Sequence, residues 1–239
     1  MLSRNDVKYI QSLCHKKLRQ QEGLFIAEGP KVVDELLQSD YSIKNIYATK
    51  EWVATHSTKK TSVIEIDEME LNRISALQTP HQVLAVVEQK APVVFNCKGK
   101  LALVLDAIQD PGNLGTIIRI ADWFGIENIV CSNDTAELYN PKVVQSTMGS
   151  FVRVNIVYDD LLTVLKKATV NVLGALLNGE NIYTAPKLKE GMLVIGNEGK
   201  GIRKELLPFI TQPVTIPKVG GAESLNAAVA TGIILSHLI

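Results

Sequence analysis

No excess of charge of either sign marks this chain of 239 residues: 25 Lys and Arg face 25 Asp and Glu, for a formal net charge of +0. That argues against a protein coated in basic charge, though charge can still segregate onto one face. Cysteine is scarce. Cys14, Cys97 and Cys131 are odd in number, far apart and in no CxxC pair, which speaks against a disulfide framework or a zinc site and for a reducing compartment. His15, His56, His81 and His237 are scattered without metal-ligand spacing, so no metal is expected. The start, MLSRNDVKYIQ, carries no apolar signal segment. The longest stretch without Asp, Glu, Lys or Arg runs from Ser224 to Ile239, is interrupted by Asn226, Ser236 and His237, and falls short of the roughly 20 residues that span a bilayer. A cytoplasmic protein without a membrane segment is the expectation.

Hydrophobic residues make up 46% and charged residues 21%, an ordinary globular composition. Val7, Ile10, Leu13 and Leu18 predict a helix over 6–18. Its neighbourhood is the most basic of the chain, and Lys8, Lys16, Lys17 and Arg19 are candidates for an RNA-facing patch as much as for a solvated face. LFIAEG, IKNIYA, SVIEI and QVLAVVE read as strands, PKVVDELLQS as a helix entered through Pro30, and DEMELNRIS as a helix capped by Asp67. This predicts a small α/β domain over 1–90, a linker over 91–99 and a second domain over 100–239.

In the second domain the strands are nearly continuous apolar runs: Leu101–Leu105, Asn128–Val130, Val170–Leu177, Met192–Ile195 and Val214–Ile216. Such runs predict a mostly parallel sheet covered on both faces. Helices fit NLGTIIRIADWFG, PKVVQSTMG, DDLLTVLKKA and RKELLPFI.

Three segments follow predicted strands, where open α/β sheets bind ligands. In LDAIQDPGNLGTIIRIADWFG, Asn113 is placed to cap a helix, and Arg119 lies six residues on, about 9 Å along the axis. The pair could touch two ends of an extended substrate, or belong to a plain capped helix. LVIGNEGKGI places Gly196, Glu198, Gly199 and Gly201 after a buried strand, without the spacing of a Walker A or GxGxxG loop. IPKVGGAESLNAAVATGIILSHLI bends at Gly220 and Gly221, offers Glu223 or Ser224 as a cap, and ends in a helix apolar on all faces. Such a helix must be buried, in its own domain or against another subunit.

Together the three segments resemble the three motifs of the SpoU (TrmH) branch of the SPOUT RNA methyltransferases. Asn113, Gly115 and Arg119 sit as in the first, Gly196, Glu198 and Gly201 as in the second, and Ile216, Pro217, Gly220 and Ser224-Leu225-Asn226 as in the third. The match covers 101–239. FIAEGPKVVDELL and TPHQVLAVVE resemble the ribosomal-protein-like RNA-binding domain of many members. The resemblance implies an α/β SPOUT domain with a carboxyl-terminal trefoil knot, a homodimer, and methyl transfer from S-adenosylmethionine to a ribose 2′-oxygen of RNA. Neither composition nor periodicity indicates a knot, a rare feature of proteins. It implies Gly196, Gly201, Ile216 and Leu225 at the cofactor, and a polar catalytic cluster of Asn113, Arg119, Glu198, Ser224 and Asn226. Arg119 would assist loss of the hydroxyl proton or clamp an RNA phosphate, and Glu198 could orient it. Lys218 stands where many relatives have an apolar residue. The amino-terminal domain favours large-subunit ribosomal RNA as substrate. The alternatives are a transfer-RNA enzyme and a non-catalytic RNA-binding protein. A small-molecule α/β enzyme would need a nucleophile or hydride site of its own, and none is visible.

Overall fold

The computed structural model describes residues 1–56, 61–91 and 93–239; Pro92, in the expected linker, lies outside them. The chain forms two compact units, one of Met1–Ala91 with Tyr139–Val152, the other of residues 92–138 and 153–239.

The first unit opens with α1 (Arg4–Ser12) and α2 (Lys16–Glu22), where the spacing predicted one helix. Arg19 explains the break. Its guanidinium Nη1 donates to the carbonyl oxygens of Leu13 at 2.9 Å and Cys14 at 2.7 Å, satisfying acceptors that a helix end leaves open. Arg19 is therefore buried in the fold and not presented to solvent, which corrects its place among the RNA-facing candidates; Lys8, Lys16 and Lys17 are exposed. Gly23, at φ +65°, ends α2 in the left-handed conformation and turns the chain into β1 (Leu24–Glu28). Then follow α3 (Pro30–Leu37), β2 (Ile43–Ala48), α4 (Lys50–Thr55), β3 (Val63–Glu65), α5 (Glu68–Ile74) and β4 (Val83–Glu88). Asp67 caps α5 in a reciprocal box with Glu70. The four strands lie in the order β1-β4-β2-β3, with only β2 and β3 parallel. The sequence did not announce α4.

The second unit starts at β5 (Leu101–Leu105), α6 (Pro111–Trp123) and β6 (Asn128–Cys131). The chain then gives α7 (Pro141–Thr147) to the first unit, where the Phe25 ring meets Tyr139 at 4.5 Å and Phe151 at 5.9 Å between centroids. These residues fall inside the segment 100–239 by sequence, yet they belong to the first unit's core. The second unit resumes with β7 (Asn155–Tyr158), α8 (Leu161–Lys166), β8 (Val172–Asn181), β9 (Gly191–Ile195), β10 (Gln212–Thr215) and α9 (Ala227–Leu238). β7 was not anticipated. RKELLPFI, predicted as a helix, forms turns and a 3₁₀ turn at Leu207–Phe209, because Pro208 lacks an N–H and disfavours helical geometry before it.

All strand pairs of this sheet are parallel, in the order β10-β8-β9-β5-β6-β7. β5 and β9 sit at its centre and are buried along their whole length, as their unbroken apolar runs require. From β5 the chain moves to β6 and β7 on one side, and later to β8, β9 and β10 on the other. Loops leaving the carboxyl ends of β5 and β9 therefore flank a switch in strand order, the usual place for a ligand crevice. No helix among the described residues is long and apolar enough to cross a membrane.

Candidate active site

Because the strands run parallel, the loops after β5, β9 and β10 leave the same edge of the sheet. The loop after β5 enters α6 through Asp110, whose carboxylate accepts the Asn113 N–H at 2.8 Å, with Pro111 in the first turn. Asn113 was expected to cap this helix. Asp110 does so instead, and that leaves the Asn113 amide free to face the other loops.

The loop after β9 is held in a tight turn by reciprocal backbone bonds between Asn197 and Gly201, at 3.1 and 2.9 Å. Gly196 must lack a side chain, since a Cβ there would stand 2.3 Å from the backbone of Gly201 and Ile202. The loop after β10 leads into α9, whose cap is Asn226 and not Glu223 or Ser224 as expected. Asn226 Oδ1 accepts the N–H groups of Ala228 at 2.9 Å and Val229 at 3.3 Å.

Three of the sequence-selected residues form one directed chain of hydrogen bonds. Asn226 Nδ2 donates to Asn113 Oδ1 at 2.8 Å, and Asn113 Nδ2 donates to Glu198 Oε1 at 2.8 Å. The ends fix the orientation of both amides. Backbone N–H groups can only donate to Asn226, and the Glu198 carboxyl oxygen accepts from the Asn113 amide nitrogen. Glu198 Oε2 also receives Asn197 Nδ2 at 3.4 Å. Arg119 is not part of this network. It is exposed two turns along α6 and makes no hydrogen bond or ion pair with the described residues, so Glu198 does not orient it. Ser224 is also exposed and without a hydrogen bond to the described residues.

Beside this chain lies a cavity of about 680 Å³. Ile195, Val214, Ile216, Leu225, Ala230 and Ile234 supply its apolar wall, and Gly196, Glu198, Gly201 and Ser224 also line it. Its size and mixed lining suit a nucleoside-sized ligand. Glu198 joins the cavity to the polar chain, since it borders the one and terminates the other. The residues fit S-adenosylmethionine: Gly196, Gly201, Ile216 and Leu225 would hold it by backbone and apolar contact.

Sequence reading missed the anchor of the β9 loop. Asp106, fully buried at the end of β5, accepts the Arg203 N–H at 2.8 Å and Arg203 Nε at 2.6 Å. An Asp directly after a buried strand was the one available signal. Asp134, 3.8 Å from the Arg203 guanidinium, is held below the usual carboxylate range, chiefly by a hydrogen bond from Ser132 and further by the Arg203 charge. Burial pushes the Cys131 thiol far up, so it is no nucleophile. No group of His, Cys, Asp and Glu among the described residues could hold a metal ion.

Comparison with known proteins agrees along the whole chain. The profile described as SpoU rRNA Methylase family matches residues 100–236, and that described as MRM3-like substrate binding domain matches residues 4–85. The sequence is 34% identical over 238 residues to the 23S rRNA (guanosine(2553)-2′-O)-methyltransferase RlmP of Bacillus subtilis (strain 168), covering 97% of this chain and 95% of that protein. An AdoMet-bound rRNA methyltransferase from Sinorhizobium meliloti superposes with a TM-score of 0.86 at 33% identity, covering 100% of this chain and 96% of that one. A TrmH-family protein from Porphyromonas gingivalis superposes with a TM-score of 0.90 at 38% identity, covering 100% and 98%.

Proposed function

Since the chain belongs to the SpoU rRNA methylase family, we propose that it methylates a ribose 2′-hydroxyl of large-subunit ribosomal RNA, with S-adenosylmethionine as methyl donor. The observation that carries this reading is the Asn226–Asn113–Glu198 chain, which ties three strand-end loops together at the rim of a nucleoside-sized cavity. A purely RNA-binding protein would have no use for that construction.

Bound S-adenosylmethionine supplies an electrophilic methyl group on a sulfonium. The protein's task is to bring a poor nucleophile, the 2′-hydroxyl, into line and let its proton leave. Arg119 is exposed and makes no hydrogen bond or ion pair with the described residues, and a guanidinium has donors but no acceptor, which suits a clamp on an RNA phosphate beside the reacting ribose better than a proton acceptor. Glu198 and the two asparagines hold the loops in register, and Ser224 stands at the cavity rim for the incoming nucleotide. Lys8, Lys16 and Lys17, exposed on α1 and α2, offer phosphate contacts in the first unit.

The active form is a homodimer in the cytoplasm. Support comes from α9, which carries no Asp, Glu, Lys or Arg yet leaves Val229 51% exposed, and from Trp123 at the end of neighbouring α6, 85% exposed. A helix apolar all round with one bare side calls for a second cover. On the same reading the family's trefoil knot would involve the loops after β9 and β10; that both line one cavity is what supports this.

The test is to incubate the protein with labelled S-adenosylmethionine and total RNA from a strain lacking its gene, then map the 2′-O-methyl sites. Label in 23S RNA supports the reading, and label confined to transfer RNA supports the alternative substrate. No label in any RNA, with no cofactor binding by calorimetry, sinks the enzyme. Arg119→Ala should lose methyl transfer; an undiminished rate with normal RNA binding would remove Arg119 from the mechanism.

A further inference from the structure

Glu198 can close the hydrogen-bond chain only if the loop that carries it is fixed, and that loop is held from outside itself. Both of its ends are tied to one dipeptide at the end of β5. At the near end, Asn197 Nδ2 donates to the Ala107 carbonyl at 2.8 Å, while Asn197 Oδ1 accepts the N–H groups of Gly199 at 3.0 Å and Lys200 at 3.1 Å. At the far end, Arg203 gives its backbone N–H and its Nε to the two oxygens of Asp106. Ala107 stands at φ +56°, a conformation L-residues rarely adopt, and its N–H is held by Ser132 Oγ at 2.8 Å. Strain of that kind persists only where the surroundings impose it. Asp106 is wholly buried, and each of its two oxygens is met by a donor of the same arginine.

We propose that Asp106 is a positioning residue for methyl transfer, acting through Arg203 to hold the 197–203 loop so that Glu198 faces Asn113. The inference rests on the reaction assigned above. Asp106 is wholly buried and is not among the residues that line the cavity; it sets where the loop sits, and a displacement of about 1 Å at such a loop is enough to cost up to about 100-fold in rate.

The experiment uses the full chain carrying Asp106→Asn, Arg203→Gln or both, with Arg203→Lys as the conservative variant. Two quantities are read: steady-state methyl transfer at saturating cofactor, and amide hydrogen exchange across 197–203, which needs no activity. Each single variant should lower kcat about 10- to 100-fold while the KM for RNA stays within about twofold. Exchange at Gly201 and Arg203 should rise while that of β5 and β9 stays as in the parent chain. The double variant should lose no more than the worse single, because the two residues act as one unit. Arg203→Lys should recover part of kcat. Parental kcat and exchange in Asp106→Asn, or losses that multiply in the double variant, would overturn the proposal. If Asp106→Asn fails to fold by circular dichroism, Arg203→Gln decides: parental kcat and exchange overturn the proposal, and a loss partly restored in Arg203→Lys supports it. A parent chain that methylates no RNA overturns the reaction, and the exchange comparison still decides the positioning.

Discussion

Asn226 holds two posts at once, and a pair of substitutions separates them. Its Oδ1 caps α9, and its Nδ2 donates to Asn113. Asn226→Ala removes both. Loss of the cap costs about 1 kcal/mol and loss of the partly solvated amide bond at most about 1 more, so the total is about 1–2 kcal/mol. For a chain of this size that lowers Tm by about 2–8 °C. Asn226→Asp keeps the cap, and a carboxylate is favoured at a helix N-terminus. It cannot donate to Asn113. The Asn113 oxygen must then face the new carboxylate or, if the amide flips, present itself to Glu198. One repulsive contact remains either way. Asn226→Asp should therefore melt within about 2 °C of the parent chain, yet methylate RNA about 10- to 100-fold more slowly. Scanning calorimetry and a single-turnover methylation assay check the two halves. An Asp variant with parental activity would refute the directed chain, and an Ala variant with parental Tm would refute the capping role.

Gly196→Ala should abolish cofactor binding by calorimetry, because its Cβ would stand 2.3 Å from backbone that has no room to yield; binding at parental affinity would contradict the tight turn. Glu28, at the end of β1, accepts from Ser75 Oγ and the Ala76 N–H, but burial outweighs both bonds and raises it above its ordinary value of 4.5. The folded state thus holds the proton more tightly than the unfolded one. The stability this contributes is present below 4.5 and lost as pH rises through the raised value. Glu28→Gln should therefore be more stable than the parent near neutral pH, with the Tm difference shrinking on acidification toward 4.5; a pH-independent difference would refute the cause. A fragment of residues 100–239 should aggregate in size-exclusion chromatography. It keeps Val143, Val144 and Phe151, all 1% exposed or less in the first unit, and discards their cover. A monodisperse fragment with cooperative unfolding would count against that packing.

Much of the fold was legible because its signals are local. The continuous apolar runs at Leu101–Leu105 and Met192–Ile195 became the central pair of a parallel sheet, and Asp67 capped its helix as the box with Glu70 required. Where local signals compete, the reading failed. Pro208 defeats the helix expected over RKELLPFI, and Arg19, a candidate for an RNA-facing patch by sequence, ends inside the fold because two open carbonyls at a helix break need a donor. The site residues were recognisable as three strand-end segments, but their roles were not. Asn113 read as a cap until Asp110 took that post, and Asn226 took the cap expected of its neighbours.

By itself, then, the sequence determined most of the strands, with β7 the exception, which edge of a parallel sheet bears the loops, and which polar residues those loops carry. Tertiary structure alone decided who meets whom. Asn226 and Asn113 are 113 residues apart, Asp106 and Arg203 are 97 apart, and the segment around α7 leaves its neighbours in sequence to complete another core. Spacing along a chain encodes the short-range geometry of helix and strand. A hydrogen bond across a hundred residues depends on where whole strands lie in the sheet, which no local pattern records.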